Sequence, residues 1–70
     1  MTFHLTVTLQ ETPDGLWYGF IGIGEDWMMI TERSQTPEAC ASRAIVWVIR
    51  ELGPGHEVKF ERRYAAWSDA

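Results

Sequence analysis

Residues 36–54, Thr-Pro-Glu-Ala-Cys-Ala-Ser-Arg-Ala-Ile-Val-Trp-Val-Ile-Arg-Glu-Leu-Gly-Pro, carry both ends of one helix. Thr36 is suited to the N-cap, Pro37 to the first helical position, and Glu38 to the positive end of the helix dipole. Gly53 supplies a left-handed stop, and Pro54 prevents continuation. Between these ends Ala41, Ala44, Ile45, Val48 and Leu52 recur at helical spacing, which predicts the buried stripe. Val46 and Trp47 then face outward beside Arg43 and Arg50.

Upstream of the helix the apolar period falls from 3.6 to two. Phe3, Leu5, Val7 and Leu9 alternate with Thr2, His4, Thr6, Thr8 and Gln10, the pattern of a half-buried strand with a polar outer face. Thr12-Pro13-Asp14-Gly15 reads as a turn closing a hairpin, and residues 16–23 return as a second strand. Both faces of that strand are apolar: Leu16, Tyr18 and Phe20 on one, Trp17, Ile21 and Ile23 on the other. Its glycines at 19 and 22 sit inside a strand pattern, where close approach or a bulge explains them better than a phosphate loop does. Gly24-Glu25-Asp26 makes the next turn and residues 27–31 a third strand. After the helix, Val58, Phe60 and Tyr64 share one face of a fourth strand, and 67–70 read as a frayed tail.

The expected fold is therefore α+β, in the order β-β-β-α-β, as one domain over residues 1–70. An antiparallel sheet with one helix packed on one face is the two-layer minimum that encloses a core. Seventy residues bury only roughly 60% of their unfolded surface, so the core is thin, and four tryptophans help to fill it. Cys40 is the single cysteine and reads as a small core residue, which leaves no intrachain disulfide. No metal site and no cofactor are expected. Apolar runs are too short for a membrane span, and no charged-then-apolar leader is visible, so a reduced cytoplasmic setting is expected.

Charge narrows the choice of partner. Residues 1–32 hold five acids and no Lys or Arg, whereas 33–70 hold five acids and six bases, for a net −4. An acidic half repels phosphate and steers toward basic surfaces, so direct nucleic-acid binding is not expected. Glu11, Asp14 and Glu32 are predicted to gather at one end of the sheet near Glu38, with Glu25 and Asp26 at the other. Trp47, flanked by Arg43 and Arg50, reads as an interface anchor. Trp27, Met28 and Met29 form a further apolar patch. No enzymatic reading survives: the serines lack a nucleophile motif, and Glu25-Asp26 lies on a turn rather than in a desolvating cleft.

The stretch from Leu9 to Leu52 resembles the HicB-like antitoxin family, which has a partial ribonuclease H-like fold. The resemblance lies in Glu11-Thr12-Pro13-Asp14-Gly15 running into Trp17-Tyr18, in Thr31-Glu32 closing strand three, and in Thr36-Pro37-Glu38-Ala39 opening an Ala-rich helix. Where that family carries a Pro- and Gly-containing segment before the third strand, this chain has Gly24-Glu25-Asp26-Trp27-Met28-Met29. First-strand carboxylates of ribonuclease H enzymes are replaced here by Thr6 and Thr8. By size and acidity the chain is also similar to small phage-encoded inhibitors such as anti-CRISPR proteins. Both likenesses imply a non-catalytic protein-binding inhibitor that covers a basic nucleic-acid-binding surface of its target. The alternative is a homo-oligomeric structural or adaptor module in which Trp47 and a Trp17/Trp27 face are buried between copies. The chain is expected to be a monomer or a homodimer.

Overall fold

In a computed structural model, residues 4–23 and 25–65 are described, with Ile23 described through its backbone alone. Five elements follow in the expected β-β-β-α-β order: β1 (His4–Glu11), β2 (Trp17–Ile23), β3 (Asp26–Met29), α1 (Pro37–Leu52) and β4 (Glu57–Arg63). Phe3, the turn residue Gly24 and the expected tail at 67–70 lie outside the described residues.

The hairpin closes as its residues dictate. Gly15 takes φ 83°, a left-handed conformation that costs a glycine little, and its N–H donates to the Thr12 carbonyl at 2.9 Å. Antiparallel pairing then sets Glu11 opposite Trp17 and Val7 opposite Ile21, and β2 pairs antiparallel with β3.

One expectation is corrected here: the sheet is mixed. Its order is β3-β2-β1-β4, and β4 pairs parallel with β1, His4 opposite Glu57 through Gln10 opposite Arg63. The reason is the crossover. β3 leads into α1, whose 16 residues span about 24 Å at 1.5 Å per residue, enough to carry the chain back along the sheet. The next strand therefore runs in the direction of β3, which is also that of β1.

Helix α1 begins and ends as read. The Thr36 hydroxyl accepts the Ala39 N–H at 3.1 Å, while Gly53, at φ 87°, donates its N–H to the Ile49 carbonyl at 3.0 Å. Its buried face differs from the expected one. Cys40, Ala44 and Val48 are buried, with Ala41 and Trp47 packed against the core, whereas Ile45 and Leu52 are exposed at 41% and 37%. The stripe is thus rotated toward 40/44/47/48. The small Cys40 lets the helix approach the sheet closely where Gly19 and Thr31 come up beneath it, with Ala44 buried one turn on. The core consists of these residues with Val7, Leu9, Trp17, Ile21 and Ile30. Trp17 also meets Tyr64 edge to face, with ring centroids 5.4 Å apart.

The outer face of β1 carries a second correction. Thr8, read as solvated, is buried, and its hydroxyl has no hydrogen-bond partner among the described groups. Its surroundings explain the burial. Phe20 stands opposite Thr8, and Gln10, Trp27 and Arg63 line the same shallow groove on the helix-free face.

Candidate protein-interaction surface

After Met29 the chain keeps following β2, but not evenly. Met29 opposes Phe20, a register that would set residue 32 opposite Trp17; Ser34 stands there instead, so two residues are looped out. Two backbone bonds hold that position, Trp17 N–H to Ser34 O at 2.8 Å and Ser34 N–H to Trp17 O at 2.9 Å. The loop turns Thr31 inward, where its hydroxyl accepts the Gly19 N–H at 2.8 Å and lies 3.4 Å from the Cys40 sulfur. Gly19 is required by this contact: a Cβ there would come within 2.9 Å of the Thr31 methyl. A close approach is thus the reason for the glycine, as its place inside a strand implied.

The looped-out pair forms a lip over α1. Between lip and helix runs a groove of about 400 Å³, lined by Ile30, Glu32, Arg43, Val46, Trp47 and Arg50 among others. Four predicted site residues, Glu32, Arg43, Trp47 and Arg50, are therefore brought together. Arg43 donates to the Arg33 carbonyl at 3.3 Å and stands 3.9 Å from the Glu32 carboxylate, while Arg50 lies 3.4 Å from Glu51. Trp47 departs from its expected outward position. It is half-buried and packs on the core, so only part of its ring faces the groove. The rotation of the buried stripe accounts for this: position 47 lies beside 40 and 44 on the helix surface.

The acidic end is assembled, yet partly neutralised. The Trp17–Ser34 bridge sits beside the Glu11–Trp17 pair, which places the Glu32 segment at the level of the hairpin that carries Asp14. Glu11 is occupied, since its carboxylate accepts the Ala65 N–H at 3.0 Å. Glu38 bonds Arg62 of β4 at 2.6 Å. Its own backbone N–H first, and then the Arg62 guanidinium, hold the Glu38 carboxyl below its ordinary range, while Tyr64 and then Glu38 hold Arg62 above its own. Asp14 is exposed beside the Thr12 hydroxyl, and Glu32 is exposed. Glu25 and Asp26 are exposed at the opposite end, at the start of β3.

Two apolar surfaces remain open. On α1, Ile45, Val46, Ile49 and Leu52 are exposed, and Ile45 and Ile49 overhang a groove of about 260 Å³ that also touches Val58 and Phe60 of β4. At the other side of the sheet every residue of β3 is exposed, Trp27 at 59% and Met29 at 53%. Trp17 and Trp27 do not share a face, contrary to the expected Trp17/Trp27 surface. Trp17 is buried beneath α1, whereas Trp27 pairs with Gly22 and its ring lies over that glycine on the helix-free side. Ile45 and Leu52 were expected in the buried stripe; their exposure was not legible, because the depth of helix packing depends on Gly19 and Thr31.

Among the described residues no group of three His, Cys, Asp or Glu side chains could hold a metal ion. Among the same residues no helix is long and apolar enough to cross a membrane. Compared with models of known protein families, with characterised proteins and with solved structures, the chain finds no match. The fold and its surface define a small α+β module with more apolar surface than its own core uses.

Proposed function

We propose that this chain is a non-catalytic protein-binding inhibitor, of the phage anti-defence or antitoxin type, that covers a basic nucleic-acid-binding surface of its target. One observation carries the reading: α1 turns Ile45, Val46, Ile49 and Leu52 to solvent while its sheet takes up Cys40, Ala44 and Val48. Large aliphatic side chains on both sides of a surface helix fit a helix that also packs on a partner. Charge supplies the class of partner. Asp14 and Glu32 are exposed at the hairpin end of the sheet, and the chain as a whole carries net −4. Such a field speeds encounter with a basic groove and discourages encounter with nucleic acid itself. The resemblance to HicB-like antitoxins supports the same mode of action.

The test is a titration of the chain against purified nucleic-acid-binding nucleases, with and without their nucleic acid. The expected target binds at low salt, is displaced by its own nucleic acid, and loses at least about tenfold in affinity to an Ile45→Ser/Ile49→Ser variant. Binding that nucleic acid does not displace, or that survives loss of both isoleucines, sinks the proposal.

A further inference from the structure

β3 is an edge strand, and its outer side pairs with nothing among the described residues. The register says which groups face outward. Ile30 donates its N–H to the Gly19 carbonyl at 2.9 Å, so residues 26, 28 and 30 turn their backbone groups toward β2. Trp27 and Met29 consequently turn their N–H and C=O groups away from the sheet. Natural edges are commonly blunted by charge, proline or a bulge within the strand. This one carries a single charge, Asp26 at its start, and is otherwise Trp27-Met28-Met29, exposed throughout. Nor does α1 cover its flank, since the helix packs on β2, β1 and β4 but not on β3.

We propose that a second copy of this chain pairs with this edge, antiparallel and two-fold symmetric about Met28, so that two sheets join into one. In that register Trp27 exchanges both backbone hydrogen bonds with Met29 of the second copy, and Met29 does the same with its Trp27. The faces match. Trp27 and Met29 both project on the helix-free side, where an indole and a thioether pack well. Met28 meets its own counterpart on the helix side, in the space that α1 leaves open.

Charge selects this partner and this direction. The strand begins with the acids Glu25 and Asp26, and past its other end lie Arg33 and Arg43, with only Glu32 opposing them. Antiparallel pairing about Met28 sets Asp26 opposite Ile30 of the second copy. Ile30 lines the groove that holds Arg43, Trp47 and Arg50, and both residues project on the helix side. Each copy therefore delivers a carboxylate into the other's arginine groove. A parallel arrangement would set Asp26 beside Asp26, which repels. Two-fold symmetry requires a patch complementary to itself, and an edge with Asp26 at one end and Arg33 and Arg43 past the other is one. This inference is independent of the proposed inhibition, because it uses β3 and leaves Ile45, Ile49 and Leu52 of α1 free.

The experiment is sedimentation of the full chain across concentration, with far-ultraviolet circular dichroism to show that each variant is folded. The parent is expected at twice its 8.1 kDa mass. Asp26→Lys and Arg43→Glu should each raise the dimer dissociation constant about tenfold to a hundredfold, since symmetry repeats the contact. The double variant should recover most of the loss, because the pair is restored with its signs exchanged. Met29→Pro removes an outward N–H and leaves the bonds to β2 in place, so it should give a folded monomer. A parent that stays monomeric overturns the proposal. So does a dimer indifferent to Met29→Pro, or a charge-reversed double variant that remains as weak as the single ones.

Discussion

β1 and β3 belong to one sheet and both carry apolar side chains, yet those side chains go to opposite places. In β1, Val7 and Leu9 are fully enclosed by β2, β4 and α1. In β3, Trp27, Met28 and Met29 stay exposed. Position in the sheet makes the difference. A central strand has neighbours on both sides and a helix above it, whereas β3 has one neighbour and no helix. Apolar area therefore stabilises the fold in β1 and is free to stabilise an association in β3.

The sharpest way to break this contrast is to empty the central position. Leu9→Ala should cost about 3 kcal/mol, because the side chain is fully enclosed and the core of so short a chain is thin. Chemical denaturation measures it, and a loss below about 1 kcal/mol would mean that β1 is not the centre of the core. Gly19→Ala should follow at about 2 kcal/mol, since its methyl would collide with Thr31 and disturb the lip that walls the groove. Here the melting temperature should fall unless Thr31 is replaced by Ser at the same time.

Smaller effects sharpen the comparison. Thr8→Val should raise stability by about 1 kcal/mol, because it removes a buried hydroxyl that has no partner and keeps the shape. A loss would show that the hydroxyl is hydrogen-bonded in solution. On the helix, Leu52→Ala should cost less than Val48→Ala even though leucine is larger, because Val48 is buried and Leu52 is 37% exposed. Equal losses in the two melts would restore the stripe expected from periodicity alone. The smallest effect is the pH response of Glu38. Its carboxyl is held below its ordinary range, so its contribution is complete at neutral pH and fades as pH falls below the usual glutamate range and through the depressed value. Glu38→Gln should flatten that acid limb slightly and leave the neutral melt nearly unchanged.

Local signals were readable wherever one residue or a short period carries them. Thr36, Pro37 and Gly53 mark the helix ends, Gly15 closes the hairpin, and alternation in β1 gives its buried face. What escaped depends on contacts between elements distant in sequence. The parallel docking of β4 follows from the crossover, and no period within Glu57–Arg63 encodes strand direction. The rotation of α1, with the half-burial of Trp47, follows from the Gly19–Thr31–Cys40 approach. The hydrogen bond to Glu11 and the pairing of Glu38 need Ala65 and Arg62, brought in by β4 and the residues just after it. Of the candidate site, the residue types were legible and their grouping only partly so. Glu32, Arg43, Trp47 and Arg50 meet because two residues loop out after β3, an event with no sequence signature of its own.

The central claim is that β3 serves an interface while β1 and β2 serve the fold, and amide hydrogen exchange reads both at once. At high protein concentration the outward amides of Trp27 and Met29 should be protected, and dilution should release them while Met28, bonded to β2, stays protected. Val7, Leu9 and Ile21 should exchange only through global unfolding at every concentration. If Trp27 and Met29 exchange freely at all concentrations, the β3 edge is not an interface between copies and the account is contradicted.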